Sequence, residues 1–148
     1  MPMKQLNTLY KYEYEKEQKS AQQLQKAELE YRQNIERLQS VSDYRLEYMK
    51  RLNERSEAGI DSATFRQFHA FMIKLDHASG QVRVAMVQAK ALMKKSKEQW
   101  LIQRQKVQAV EILQKKKIQA MQKIENRREQ NMFDEIATQQ FIRRKQQS

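Results

Sequence analysis

Residues that interrupt helices are almost absent from this chain. The one proline is Pro2, and the two glycines are Gly59 and Gly80. Only the segment 56–62, Ser-Glu-Ala-Gly-Ile-Asp-Ser, combines a glycine that can end a helix with residues, Asp61 or Ser62, that can cap the next one. The rest is rich in good helix formers such as Gln, Lys, Glu and Leu. We therefore predict an all-α fold in which two long helices fold back on each other as an antiparallel coiled coil, a helical hairpin.

The expected boundaries follow from this pattern. Helix 1 is predicted at about 3–57, the turn at about 58–61 and helix 2 at about 62–144, all within a single coiled-coil domain, 1–148. The apolar share of 39% is too small for a thick globular core but is enough for the seam between two helices.

Composition also narrows the function. The chain contains no cysteine, which excludes disulfides and thiolate metal sites. No apolar run approaches the roughly 20 residues that span a bilayer, and the N-terminus lacks the apolar stretch of a secretory signal. We expect the chain to stay in the cytoplasm.

The second half carries heptad spacing, in which apolar residues alternate at steps of three and four. One set of positions comprises Phe65, Met72, Ser79, Met86, Met93, Trp100, Val107, Gln114 and Met121. The other comprises Phe68, Leu75, Val82, Ala89, Ser96, Gln103, Val110, Lys117 and Ile124. The first half has a looser stripe, interrupted by charged and polar residues: Tyr10, Tyr14, Ala21, Leu24, Tyr31, Ile35, Leu38, Met49 and Leu52. These interruptions leave the choice of helix register open.

Unequal helix lengths predict a C-terminal overhang. About 55 residues precede the turn and about 83 follow it, so the last 25–30 residues have no partner within the chain. This overhang, 116–148, still carries an apolar series: Ile118, Met121, Ile124, Met132, Phe133, Ile136 and Phe141. Such a series is typical of a surface that binds another protein. The alternative is that the overhang frays.

Charge is concentrated in the second half. Residues 1–58 carry 11 Lys and Arg against 10 Asp and Glu, whereas residues 59–148 carry 18 against 8. The second helix is therefore the basic one, and it favours an acidic protein, a nucleic acid or an anionic membrane as partner. The basic clusters lack interleaved exposed aromatic residues that would stack on bases. A nucleic-acid-binding coiled coil nevertheless remains an alternative function.

The sequence contains no recognisable catalytic or metal site. His69 and His77 are eight residues apart, not the four that place two ligands on one helix face. The chain has no phosphate-binding glycine loop and no nucleophile motif, and a helix surface cannot shelter a carboxylate pair from water. We expect no enzyme activity, no cofactor and no metal.

Several aromatic and apolar residues lie beside the predicted seam. On a helical wheel, Tyr44 and Tyr48 occupy one flank of helix 1 with Val41 beside them. On helix 2, Phe71 and Ala78 run alongside Leu75. Either these side chains form a surface that binds another protein, or they fold over the seam and broaden a narrow core.

These residues resemble a known family. The segments that carry the likeness are Asp43-Tyr44-Arg45-Leu46-Glu47-Tyr48, Gly59-Ile60, the run from Phe65 to Leu75, and the late stretch 126–135. Together with the length and the basic second helix, they resemble the flagellar export protein family FliJ over nearly the whole chain.

The resemblance implies a function that is not catalytic. FliJ-like proteins resemble the central stalk of rotary ATPases, and they are thought to enter the hexameric ring of the flagellar export ATPase FliI. They are also thought to contact the cytoplasmic domain of the export gate protein FlhA and to escort export chaperones. The family's location would be cytoplasmic, peripheral to the inner membrane at the flagellar base. The equivalent stalk of a virulence type III secretion system is a second alternative.

The resemblance also implies two sites. The gate-binding surface falls on Tyr44, Tyr48, Phe71, Leu75 and Ala78, and Val41 stands where a leucine is common. From charge, we further expect Lys115, Lys116 and Lys117 to face acidic residues of the ATPase ring.

Overall fold

The computed structural model describes residues 1–147 and contains two α-helices. Helix α1 spans Met3–Ala58 and helix α2 spans Ser62–Gln147, and the described chain contains no strand. The helices pack against each other, so the predicted all-α, two-helix fold is confirmed. Ser148, the last residue of the predicted domain and overhang, lies outside the described residues.

Three residues between the helices reverse the chain. Gly59 has a φ of 93°, in the left-handed region that residues with a Cβ rarely adopt, and its amide donates to the Ser56 carbonyl at 3.3 Å. Asp61 then caps α2, because its Oδ1 accepts a hydrogen bond from the Thr64 amide at 3.1 Å. Of the two predicted caps, Asp61 therefore makes the bond.

The chain divides into two compact units. One comprises residues 17–102, and in it the two helices run antiparallel: Arg45 of α1 contacts Asp76 of α2, while Tyr48, nearer the turn, contacts Phe68. The other unit comprises residues 1–16 with 103–148.

The predicted heptad seam of α2 is confirmed between Phe68 and Lys117, since every one of its positions there is buried or half-buried. Its predicted ends are wrong: Phe65 is 46% exposed, Met121 53% and Ile124 56%. In the unit 17–102 the stripe is also wider than a strict seam, because Phe71, Ala78 and Ala85 are half-buried beside it.

The predicted stripe of α1 is wrong at three positions. Tyr14, Ile35 and Met49 are exposed by 44%, 42% and 38%. The neighbouring residues, Glu13, Asn34 and Tyr48, are instead buried or half-buried. Two of these are polar residues whose hydrogen bonds are made within the chain, so hydrophobicity alone could not locate the stripe.

Asn34 shows how a polar residue is accommodated in this seam. It is only 4% exposed, and its Nδ2 donates to the Glu30 carbonyl at 3.0 Å, while its Oδ1 accepts from Arg37 at 3.4 Å. Among the described residues, no buried side-chain nitrogen or oxygen lacks a hydrogen-bond partner. These hydrogen bonds offset most of the free-energy penalty of burying polar groups.

The unit formed by residues 1–16 and 103–148 is joined by amide hydrogen bonds as well as by apolar packing. Gln103 Nε2 donates to the Glu13 carbonyl at 2.9 Å and also to its carboxylate. Gln114 Nε2 donates to Asn7 Oδ1 at 3.0 Å. Leu6, Val107 and Val110 are the buried apolar residues here, each no more than 5% exposed.

The C-terminal part of α2 is fully exposed. Every residue from Ile118 to Gln147 is exposed, although the helix continues through this segment. Large apolar side chains of the predicted series stand in water here, with Phe133 at 64% and Phe141 at 65% exposure. In this structure the predicted overhang is thus helical rather than frayed.

The Asp61 cap makes the stability of the fold depend on pH. The hydrogen bonds from Thr64 hold the pKa of the Asp61 carboxyl below its ordinary value of 3.8. A carboxyl with a lowered folded-state pKa contributes stability above its unfolded pKa and loses it as the pH falls through the folded pKa. We expect Asp61→Ala to lower the melting temperature at neutral pH, and this difference from the wild type to shrink as the pH falls below about 3.8.

Thermal unfolding followed by circular dichroism at several pH values checks this prediction. Asp61→Asn is the matched control, because its amide oxygen caps a helix without titrating. A melting temperature that is the same in Asp61→Ala and the wild type at neutral pH would show that the cap contributes nothing.

Candidate docking surface

A cluster of aromatic and apolar side chains lines one edge of the helix pair in the unit 17–102. We call it the aromatic edge, and it comprises Val41, Tyr44 and Tyr48 of α1 with Phe71, Leu75 and Ala78 of α2. The reversal at Gly59 brings the two helices together here, since residues before the turn meet residues at a similar distance after it. All six are the residues predicted from the sequence for the gate-binding surface.

Ring contacts tie this edge together across the two helices. The Tyr48 ring centroid lies 4.6 Å from that of Phe71 and 4.8 Å from that of Phe68, both in tilted arrangements. The Tyr44 centroid lies 6.0 Å from Phe71, edge to face, and 6.3 Å from Tyr48. These are distances at which aromatic pairs attract each other beyond the area that they bury.

The residues of the aromatic edge differ in how far their side chains are exposed. Tyr44 is 47% exposed, whereas Tyr48 and Phe71 are half-buried, and Tyr48 packs on the ring of Phe68, which is 8% exposed. Val41, Leu75 and Ala78 are also half-buried. Tyr48 and Phe71 therefore broaden the core, as one of the two sequence interpretations held, and Tyr44 is the member whose ring stands at the surface.

An ion pair also joins the two helices in the same unit. Arg45 Nε lies 2.7 Å from Asp76 Oδ1, and the two side chains are 39% and 55% exposed. A pair this open to water contributes little to stability. This pair is not predicted from the sequence. The signal that could have found the pair is the alignment of opposite charges once the turn is placed at Gly59.

The predicted basic stripe lies in the other unit. Lys115 and Lys116 are exposed, but Lys117 is half-buried because it occupies a seam position. The structure thus presents two of the three lysines fully to a partner. The sequence places Lys117 both in the seam and in the basic stripe, and its half-buried position agrees with the seam.

In the described residues, no group of three His, Cys, Asp or Glu side chains is placed to hold a metal ion. One groove between the two helices is lined by Val41, Arg45, Leu46 and Gly80. Aromatic and basic side chains on a helical surface are suited to contacts with another protein.

Comparison with known families identifies the chain. Residues 3–146 match the family model of the flagellar FliJ protein. The chain belongs to the FliJ family. This family is a noncatalytic part of flagellar protein export, so the role of the chain lies in that process. No curated protein and no solved structure gave a match.

Two further findings bear on this FliJ-family chain. Neither of its helices, over residues 1–147, contains a stretch that is long and apolar enough to cross a membrane. The flagellar description of the family favours flagellar export over the virulence secretion system that the sequence left open.

The burial difference between the two tyrosines predicts different effects of their removal. Tyr48→Ala deletes a half-buried ring that packs on Phe68 and Phe71, so we expect it to lower the free energy of unfolding by about 2 kcal/mol. Tyr44→Ala removes a ring that is 47% exposed, and we expect a loss below about 1 kcal/mol.

Urea denaturation of both variants, followed by circular dichroism, measures these losses. Tyr12→Ala serves as the control for loss of an exposed tyrosine, since Tyr12 is 56% exposed and lies in the other unit. Equal losses for the Tyr44 and Tyr48 variants would contradict the division of the aromatic edge into core and surface.

Proposed function

We propose that this FliJ-family chain is a noncatalytic stalk of the flagellar export apparatus. In this proposal it promotes assembly and activity of the export ATPase ring, formed by FliI. It docks on the cytoplasmic domain of the gate protein FlhA and escorts export chaperones between them. Its location is cytoplasmic, peripheral to the inner membrane at the flagellar base. Family membership supports the process, and the surface residues described above support the assignment of the individual contacts.

The single observation that carries the gate contact is the exposed ring of Tyr44. It is 47% exposed although it stands beside the rings of Tyr48 and Phe71, which could have covered it. Exposing an aromatic ring to water is unfavourable, and tyrosine is enriched among residues that dominate binding energy. Contacts with the rings of Tyr48 and Phe71, at 6.3 and 6.0 Å between centroids, restrict the Tyr44 ring and so reduce the conformational entropy lost on binding.

The small side chain of Ala78 adds a place for a partner to approach. It lies on α2 two turns beyond Phe71 and is half-buried. An aromatic ring beside a small residue gives a step in the surface into which an apolar side chain of the gate domain can pack. We therefore assign Tyr44, Phe71 and Ala78 to the contact, with Val41, Tyr48 and Leu75 supporting them from below.

A binding experiment with the cytoplasmic domain of FlhA tests this assignment. We expect Tyr44→Ala to weaken the affinity, measured by calorimetry, by at least about tenfold, because it removes a central aromatic contact. Tyr12→Ala, which removes a ring that is 56% exposed and lies outside the aromatic edge, should leave the affinity unchanged. Unchanged binding by Tyr44→Ala, with its fold intact by circular dichroism, would refute the gate contact.

The exposed lysines support the ATPase contact. Lys115 and Lys116 lie on α2 in the unit 1–16 with 103–148, and neither forms an ion pair within the described chain. Unpaired cations on a helix attract acidic residues of a partner and accelerate association. The acidic partner in this proposal is the wall of the FliI ring.

Charge reversal tests the ATPase contact. Lys115→Glu with Lys116→Glu leaves the half-buried Lys117 in place, so the helix pairing is spared. We expect this variant to lose most of its stimulation of ATP hydrolysis by FliI, with a stronger effect at low than at high salt. Lys94→Glu with Lys95→Glu makes the same change of charge at exposed positions of the other unit and should stimulate normally. Full stimulation by the first variant, or an equal loss in both, would exclude a specific role for Lys115 and Lys116.

A further inference from the structure

Helix α2 carries a second heptad series, which α1 does not cover except that Gly80 borders the groove between the two helices. Its positions alternate by three and four residues, as those of the seam do. We call it the outer stripe, and it comprises Ala70, Ile73, His77, Gly80, Val84, Val87 and Ala91. All seven are exposed, and the three large apolar members stand far into water, at 57% for Ile73, 58% for Val84 and 66% for Val87.

The outer stripe is separate from the surfaces assigned above. The seam positions of α2 that pack towards α1 include Phe68, Leu75 and Val82, each buried or half-buried. On a heptad wheel, the outer stripe lies on the nearly opposite side of α2 from this seam. It also shares no residue with the aromatic edge. Single exposed apolar residues need no explanation, but a series that keeps heptad spacing over three heptads is typical of a helix-packing surface.

Small residues in the outer stripe permit a close approach. Gly80 stands at its centre, and a Cβ built there would meet no atom within 4 Å, so the space beside the backbone is open. Ala70 and Ala91 lie at its two ends. A helix that packs here can therefore come near the α2 backbone at Gly80 while its side chains meet Val84 and Val87.

Charge identifies the kind of helix that would pack here. Residues 62–97 contain seven Lys and Arg residues, and Asp76 is their one acidic residue. Asp76 is already paired with Arg45. Lys74, Arg83 and Lys90 flank the outer stripe, and none of them forms an ion pair within the described chain. Charged residues beside a heptad seam set the choice of partner, and here they favour a partner with Asp or Glu in the matching positions.

The same charges disfavour two other occupants. A second copy of this chain would set Lys and Arg against Lys and Arg, which is repulsive in either orientation. An anionic membrane would accept the charge, but a helix that lies on a membrane presents a broad face with Trp, Phe or Leu. The outer stripe is narrow and contains none of these three residue types.

We propose that the outer stripe is a docking seam for an acidic amphipathic helix of another protein, which would add a third helix to the α1–α2 pair. The bound helix places its apolar heptad positions against Ile73, Val84 and Val87. Its acidic flanks then lie beside Lys74, Arg83 and Lys90. This surface shares no residue with the proposed gate contact.

A synthetic peptide tests the proposal directly. The probe is about four heptads long, with Ile at a, Leu at d and Glu at e and g, so that its own charges oppose self-pairing. The matched control peptide has Lys in place of every Glu. We expect the acidic peptide to bind the full-length chain at least about tenfold more tightly than the basic one by fluorescence anisotropy, and to protect residues 73–91 from hydrogen exchange.

Variants of the chain locate the binding. Val84→Gln with Val87→Gln removes the apolar contacts at exposed positions without changing charge. We expect this variant to bind the acidic peptide at least about tenfold more weakly than the wild type does. Gln22→Ala with Gln33→Ala alters exposed positions of α1, away from the stripe, and should bind normally, as should Tyr44→Ala. If the valine variant melts at a lower temperature, Ile73→Gln replaces it in the comparison.

Three results would overturn the proposal. The first is that the valine variant binds the acidic peptide with the same affinity as the wild type. The second is a dimer of the wild-type chain, seen by sedimentation equilibrium, that the valine variant dissociates, which would make a second copy the occupant. The third is flotation with phosphatidylserine vesicles that the valine variant loses, which would make a membrane the occupant. We expect a monomer, and flotation that does not depend on the two valines.

Discussion

The reversal of the chain at Gly59 is the constraint on which the remaining structure depends. Its φ of 93° ends α1, and the Asp61 carboxylate starts α2 three residues after the last residue of α1 by accepting from the Thr64 amide. Elsewhere the sequence offers no comparable stop, since even Gly80 lies within continuous helix. Because the chain reverses once, residues 40–48 meet residues 68–80, and the rings of Tyr44, Tyr48, Phe68 and Phe71 converge on one edge.

The seam between the two helices contains buried polar residues as well as apolar ones. Asn34, Ser96 and Gln103 are buried, and Asn34 and Gln103 are satisfied by hydrogen bonds to backbone carbonyls. Gln103 bonds to Glu13 of the other helix and would lose both bonds in another alignment, so it opposes such alignments, whereas Asn34 is satisfied within α1 and favours none. Apolar residues that lie away from this seam, such as Ile73 and Val87, stay exposed, at 57% and 66%.

Much of this architecture is predictable from the sequence, because it depends on local signals. The turn at Gly59 follows from backbone chemistry, and the α2 seam follows from heptad spacing that few polar residues interrupt. The α1 stripe could not be predicted in full, because its buried and half-buried positions include the polar residues Asn34 and Glu13. Asn34 is satisfied within α1 by Glu30 and Arg37, and Glu13 by Gln103 in the distant part of the chain. The difference in burial between Tyr44 and Tyr48 likewise could not be predicted from the sequence. Both are tyrosines on one flank of α1, and only the position of Phe68 and Phe71 across the turn shows which ring is covered.

The most direct test of this account measures whether the two helices pair within one chain. Spin labels at Ser40 and Gln81, both exposed, would be placed in one molecule and diluted with unlabelled protein, and their separation would be measured by pulsed electron resonance. Helices packed about 8–10 Å apart place labels on their outer faces about 20–30 Å apart. A separation of about 60 Å, expected if 41 residues ran on as one helix, would contradict the reversal at Gly59 and every surface that depends on it.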